Sequence, residues 1–204
     1  MFVIDASGSM KKPVPNSPGL QSRMDVAKAL AKKIVDMFYL SSTDLGARFS
    51  VVSFNETATL RLTWSTDSAE IGAAIDAISA DGKTSICAGL NLARALLDDA
   101  RDTATKVALL LTDVKLVKPY NTYPPSYACL PGQFNPAAAI AAGQDLNTVA
   151  DKVFAWGFGD RLQRDLLVAI AGDESRVQSI DDIFKLFAFP AALLADVCND
   201  PPPN

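Results

Sequence analysis

Short apolar runs alternate along this chain with longer stretches of helical periodicity. Four of the runs are continuously hydrophobic, as expected for parallel strands that are covered on both faces. They are Phe2–Ile4, Phe49–Phe54, Val107–Leu111 and Val153–Phe158. Ala58–Trp64 alternates partly between apolar and polar residues, which predicts an antiparallel edge strand joined to its predecessor by the turn at Asn55–Thr57.

Apolar residues recur at helical spacing between these runs, so helices are predicted in the gaps. The predicted helices are 24–38, 71–78, 86–97, Pro136–Asp151, Arg161–Ala171 and Asp181–Val197. Strands that alternate with helices predict an α/β fold in which helices cover a mostly parallel sheet. We expect one domain over residues 1–198, followed by a Pro-rich linker or tail over 199–204, since consecutive prolines cannot continue a helix.

Composition removes several classes of function. The net charge is only −4 and there is no basic run, so nucleic-acid binding has little support. No uncharged apolar stretch approaches the length of a membrane span, so no direct membrane insertion is expected. The chain also has no histidine, which removes the commonest general base and His-rich zinc sites. A metal would have to use oxygen ligands or the three cysteines.

Those cysteines leave three arrangements open. Cys129 and Cys198 could form a disulfide, Cys198 could pair with a cysteine upstream of this chain, or Cys87, Cys129 and Cys198 could all be free thiols. A disulfide would favour a secreted protein, because disulfides are rare in the cytosol.

Short oxygen-bearing side chains come from three distant stretches of the chain. Asp5, Ser7 and Ser9 directly follow the first strand, and Asp113 stands at the end of another buried strand. Thr84 lies in a loop just before a helix. Ligands of open parallel sheets bind at the carboxyl ends of the strands, so these side chains should meet at one edge. Each residue alone could be a turn or helix-cap residue, but their joint placement favours a metal site.

The pattern Asp5-x-Ser7-x-Ser9 with Thr84 and Asp113 resembles the metal-ion-dependent adhesion site (MIDAS) of von Willebrand factor A domains. This family includes integrin inserted domains and anthrax-toxin receptors. The stretch 153–160 is also similar to the family's strand before its penultimate helix. The resemblance covers nearly the whole chain. It implies a three-layer αβα, Rossmann-like fold with one antiparallel edge strand.

The resemblance also implies a role for each residue. The hydroxyls of Ser7 and Ser9 would bind Mg²⁺ directly, and Thr84 would do so when a ligand is engaged. Asp5 and Asp113 would hold coordinating waters or orient the hydroxyls. Mn²⁺ or Ca²⁺ could substitute for Mg²⁺. One coordination position would stay open for an Asp or Glu carboxylate of a partner protein.

The chain departs from the family pattern just after the last of these residues. Val114 stands where the family usually has Gly, so the following loop could run differently. Lys115 and the Pro-rich loop 119–136 should then lie near the metal edge. From that proximity we expect Lys115, Tyr120, Tyr123 and Tyr127 to form part of the ligand-binding rim, although the loop could equally be an ordered surface elaboration.

The favoured interpretation is a non-enzymatic adhesion or matrix-type binding module within a larger, extracellular or cell-surface protein. By analogy with the family, binding could be coupled to a shift of the last helix. The alternative is an intracellular, cytoplasmic domain that docks onto an ATPase or chelatase-type assembly. A third hypothesis, an Mg²⁺-dependent hydrolase with Asp5 as nucleophile, is disfavoured because the chain has no histidine and no phosphate-cradling Gly-rich loop.

Overall fold

The computed structural model describes residues 1–14, 22–41, 47–101, 103–115, 129–159, 162–180 and 189–198. Its strands form one six-stranded sheet in the order β3-β2-β1-β4-β5-β6. The strands are β1 (Phe2–Asp5), β2 (Phe49–Phe54), β3 (Ala58–Ser65), β4 (Val107–Thr112), β5 (Lys152–Phe158) and β6 (Val177–Ile180). Only the β2–β3 pair is antiparallel, as predicted for the edge strand.

Helices cover both faces of the sheet. The helices are α1 (Arg23–Ser41), α2 (Ser68–Asp76), α3 (Ile86–Asp98), α4 (Pro136–Asn147), α5 (Arg164–Ala171) and α6 (Phe189–Cys198). Alternate residues of each central strand enter opposite cores. Ile4 and Leu111 pack under α1, α2 and α6, whereas Val3 and Leu110 pack under α3, α4 and α5. This alternation explains why the central strands are mostly apolar on both faces and confirms the predicted three-layer αβα fold.

Local sequence signals set several helix ends. Asp67 caps α2 by accepting hydrogen bonds from two backbone N–H groups, and Asn135 does the same for α4, where Pro136 occupies the first turn. Gly172 ends α5 in a left-handed conformation that favours glycine. Within the described ranges, no helix combines the length and apolarity needed to cross a membrane.

The structure differs from the predicted elements in three main places, one of them the start of the predicted helix 161–171, which begins at Arg164. β6 was not predicted, because its four residues include only two buried apolar side chains, Val177 and Ile180, and a run this short has no readable period. The predicted helix 136–151 ends at Asn147, since the chain must turn there to enter β5. Residues 181–188 and the predicted tail 199–204 lie outside the described residues.

The strand order creates the place where a ligand can bind. β1 and β4 are neighbours in the sheet, with Ile4 paired to Leu111. The chain continues from β1 toward β2 on one side and from β4 toward β5 on the other. Because the chain leaves these two neighbouring strands toward opposite sides of the sheet, a crevice opens at their carboxyl ends. Asp5 and Asp113 stand at these two ends.

Candidate metal centre

Asp5 anchors the centre from the end of β1. Its carboxylate is completely buried. Oδ1 accepts a hydrogen bond from the backbone N–H of Ser7 at 2.8 Å, and Oδ2 accepts one from the hydroxyl of Thr112 at 2.6 Å. Thr112, the last residue of β4, was not among the predicted site residues. Only the pairing of β1 with β4 reveals that it lies beside Asp5.

Ser7, Ser9 and Asp113 form a short hydrogen-bonded chain across the crevice. The Oγ atoms of Ser7 and Ser9 lie 3.0 Å apart, and Ser9 Oγ donates to Asp113 Oδ1 at 2.6 Å. A 3-10 helix over Gly8–Lys11 contains Ser9 and directly follows Ser7, and its residue Met10 is buried in the core. The structure therefore brings together four of the five predicted metal-site residues.

The fifth residue, Thr84, follows a loop at residues 81–83 that is hydrogen-bonded to the loop carrying Ser7 and Ser9. The Asp81 N–H donates to the Ala6 carbonyl at 2.7 Å, and the Gly8 N–H donates to the Gly82 carbonyl at 3.0 Å. A Cβ at position 8 would lie 3.2 Å from that carbonyl oxygen, so glycine permits this close approach. Thr84 itself is half-buried. Among the described residues, no hydrogen bond joins its hydroxyl to the other four side chains.

The donor set fits a small hard cation. Adjacent ligands of an octahedral Mg²⁺ ion at about 2.0–2.1 Å stand about 2.9 Å apart, which is close to the separation of the two serine oxygens. The described part of the chain contains no cluster of three His, Cys, Asp or Glu side chains suited to a metal. A cation here would therefore depend on hydroxyls, supported by two carboxylates.

Comparison with known proteins places the chain in a family. Residues 1–115 match the model of the von Willebrand factor type A domain, which is more than half of the chain. The chain belongs to the von Willebrand factor type A family. A search of curated protein sequences gives no match.

Solved structures of von Willebrand factor type A (VWA) proteins resemble this domain closely. Proximal thread matrix protein 1 from the mussel byssus, solved with a zinc-occupied MIDAS motif, is 28% identical with a TM-score of 0.71, over 97% of this chain and 44% of that chain. A von Willebrand factor type A protein from Catenulispora acidiphila is 26% identical with a TM-score of 0.70, over 95% of this chain and 41% of that one. This chain thus spans less than half the length of either protein.

A third similar structure shares the fold at lower identity. It is the VWA domain of the type V pili tip protein Mfa5 from Porphyromonas gingivalis, which is 15% identical with a TM-score of 0.71, over 98% of this chain and 96% of that chain.

A buried ion pair adjoins the metal centre of this VWA domain. Arg23 Nη1 donates to Asp113 Oδ2, and both side chains are almost completely buried. Arg23 was not predicted as a site residue. A basic residue in the first turn of a helix is only slightly unfavourable, so the sequence alone did not single out Arg23.

The electrostatics of Asp5 are strongly perturbed. The pKa of Asp5 is raised from its ordinary 3.8 to about 6, first by burial and second by the neighbouring charge of Asp113. Hydrogen bonds from Thr112 and Ser7 act in the opposite direction by stabilising the carboxylate. Without a cation, ionised Asp5 is thus held in an environment that disfavours its charge.

We expect the metal-free domain to lose stability as the pH rises through the pKa of Asp5. The folded state holds the Asp5 proton more tightly than the unfolded chain, so this contribution favours folding below about pH 6 and disappears above it. From about pH 5 to 7.5 it should lower the free energy of unfolding by about 1.4 kcal/mol. Urea denaturation in EDTA would measure this. Asp5→Asn is the control, and an unchanged pH slope in that variant would contradict the assignment to Asp5.

The predicted rim is described only at its start. Val114 packs its side chain into the core under α3, α4 and α5, and Lys115 after it is half-buried. The backbone carbonyl of Val114 accepts a hydrogen bond from Gln163 N–H at 3.4 Å. Tyr120, Tyr123 and Tyr127 lie outside the described residues.

The Cys129–Cys198 disulfide, one of the three arrangements that the sequence left open, does not form in the structure. Cys129 is instead bonded to Cys87, in the first turn of α3. Lys152, at the start of β5, donates to the carbonyl and carboxylate of Asp196 at 2.6 and 3.1 Å. These bonds hold the end of α6 at the opposite edge of the sheet from the metal centre. The Cys87–Cys129 disulfide ties the end of the Pro-rich loop beside the Thr84 loop. Cys87 is therefore not a free thiol.

Proposed function

We propose that this domain binds a partner protein through a divalent cation, Mg²⁺ in the physiological case, that is completed by an Asp or Glu carboxylate of the partner. The observation that carries the proposal is the pair of serine hydroxyls 3.0 Å apart, backed by the buried carboxylates of Asp5 and Asp113. The zinc-occupied MIDAS motif of the similar mussel protein supports a divalent ion in this position.

The roles follow from what each side chain contacts. Ser7 and Ser9 would bind the ion directly, and Thr84 would join when a ligand is engaged. Asp113 orients the Ser9 hydroxyl, and Asp5 fixes the backbone of Ser7, so both carboxylates mainly position the ligands. A bound cation would supply a Lewis-acidic position for the partner's carboxylate, and neutral hydroxyl ligands would leave that position strongly electrophilic.

The geometry favours binding over catalysis. A phosphatase-type reaction would need Asp5 as an exposed nucleophile. Asp5 is fully buried, and each of its oxygens already accepts a hydrogen bond. The chain also has no histidine to act as a general base. We therefore propose a non-enzymatic module.

Its setting would be a larger extracellular or cell-surface protein of adhesion or matrix type. Similar structures come from a byssal matrix protein and a pilus tip protein, and the chain spans less than half of the mussel protein. The Cys87–Cys129 disulfide supports an oxidising compartment and counts against the alternative of an intracellular domain docked on an ATPase or chelatase.

A peptide selection tests this proposal without knowledge of the partner. Random displayed peptides would be captured by the domain in Mg²⁺ and eluted with EDTA. We expect the eluted peptides to share one Asp or Glu, and its change to Asn or Gln should abolish capture. Ser9→Ala should capture none of them, whereas Ser175→Ala, whose hydroxyl lies before β6 at the opposite edge of the sheet, should behave as wild type. Capture that persists in EDTA or in Ser9→Ala would overturn the proposal.

A further inference from the structure

Arg23 occupies a closed slot beside the metal centre. Its backbone N–H donates to the Lys12 carbonyl at 2.9 Å, and its side chain is only 4% exposed. Gly159, with φ of +106°, forms the opposite wall, where a Cβ would lie 2.7 Å from Arg23 Nη2. The guanidinium is therefore held in place and cannot swing into solvent without displacing its neighbours.

One carboxylate connects this guanidinium to the serine hydroxyls. Asp113 accepts from Arg23 through Oδ2 and from Ser9 through Oδ1. Arg23 Nε is buried and has no hydrogen-bond partner among the described residues. A buried cation with an unpaired donor, placed at the positive end of α1, is a poor device for stability. Its position indicates a role in the centre itself.

The net charge of the metal centre depends on whether Arg23 is present. Asp5, Asp113 and Arg23 together carry −1 when both carboxylates are ionised. A divalent cation would bring the total to +1, and a carboxylate from a partner would bring it to zero. Without Arg23, the cation alone would neutralise the centre, and the partner's carboxylate would make it negative. A buried environment disfavours a net charge of either sign. It therefore disfavours the cation alone when Arg23 is present, and the cation with the partner's carboxylate when Arg23 is absent.

We infer that Arg23 makes the cation and the partner's carboxylate bind cooperatively, an inference that rests on the proposed function. The guanidinium weakens binding of the ion alone by repulsion and strengthens binding of an anionic ligand to the occupied site. The domain would then hold its ion firmly only while it holds its partner. By linkage, each of the two ligands raises the affinity for the other by the same factor.

Two substitutions separate the charge of Arg23 from its positioning effect. Arg23→Gln keeps an N–H donor for Asp113 but removes the charge, whereas Arg23→Lys keeps the charge. Mn²⁺ affinity would be measured by EPR titration of the EDTA-stripped, dialysed domain at constant ionic strength, with acetate as the anionic probe and acetamide as its neutral counterpart. Arg176→Gln, before β6 at the far edge of the sheet, controls for the change in net charge.

Acetate should raise the Mn²⁺ affinity of the wild type and of Arg23→Lys by about tenfold, and acetamide should not. Arg23→Gln should bind Mn²⁺ alone about tenfold more tightly than wild type and respond little to acetate. Arg176→Gln should match the wild type.

Other outcomes overturn the inference in distinguishable ways. One-to-one Mn²⁺ binding by the wild type with no response to acetate would overturn the cooperativity and leave the proposed function standing. Equal behaviour of wild type and Arg23→Gln would remove the role of the charge. If Arg23→Gln fails to fold, Arg23→Met takes its place, because it keeps a long side chain without the charge and should show the same tighter Mn²⁺ binding and weak acetate response. No Mn²⁺ binding by the folded wild type would overturn both the inference and the proposed function.

Discussion

Asp5→Asn should lower the affinity of the domain for Mn²⁺ by about 10- to 100-fold, the usual cost of losing a group that orients metal ligands. The same substitution raises the free energy of unfolding of the metal-free protein at pH 7.5 by about 1–3 kcal/mol, because it removes a buried charge whose pKa is raised to about 6. Asparagine can still accept the hydrogen bond from the Ser7 N–H, so the loop should keep its conformation.

The opposite signs of these two effects make the prediction specific. Titration with Mn²⁺ and urea denaturation in EDTA would be run on the same preparations. Asp145→Asn, an exposed carboxylate on α4, is a matched control that should change neither quantity. An Asp5→Asn protein that is less stable than wild type at pH 7.5, or that binds Mn²⁺ equally well, would contradict the structural role of Asp5.

Replacing Cys87 and Cys129 together with Ala lowers the free energy of unfolding by about 4 kcal/mol, as expected from the chain entropy of a crosslink of this span. The two cysteines are 42 residues apart in sequence, so the bond restrains a large part of the unfolded chain. In the folded state it fixes the end of the Pro-rich loop beside the Thr84 loop, and the double variant should therefore also lose peptide binding.

The third cysteine supplies the control for this experiment. Cys198→Ala should keep the stability of the wild type, since the structure bonds Cys129 to Cys87. Peptide mapping without reduction should recover the Cys87–Cys129 crosslink. Recovery of a Cys129–Cys198 crosslink, or a large loss of stability in Cys198→Ala, would show that the assigned pairing is incorrect.

The central strands, and the meeting of four of the five candidate metal-site residues at one end of the sheet, could be predicted because their signals are local. The mostly apolar run Phe49–Phe54, interrupted by Ser50 and Ser53, reads as a strand buried on both faces, and the structure has a strand with the same bounds. Asp5 and Asp113 follow such runs directly, so the rule that parallel strands end at one edge was enough to bring them together. The inclusion of Thr84 in this group came from the family pattern, because no local signal shows that its loop packs against the Ser7–Ser9 loop.

Contacts between distant segments could not be predicted in the same way. Thr112 meets Asp5 only through the register of β1 and β4, and Cys129 meets Cys87 only because the folded chain brings the segment 129–132 beside Glu56 and the start of α3. Arg23 reaches Asp113 over 90 residues of sequence. In each case the side chain has several possible partners in the sequence, and only the fold selects one of them.

The most direct test of a cation held by Ser7 and Ser9 is anomalous diffraction from crystals of the domain grown with Mn²⁺. We expect one strong anomalous peak within direct coordination distance of both serine Oγ atoms, with Asp5 and Asp113 around it. The peak should be absent in Ser9→Ala crystals grown in the same way. Well-ordered crystals of the wild type with no peak at the serines, or with the ion bound elsewhere, would show that Ser7 and Ser9 do not hold the cation.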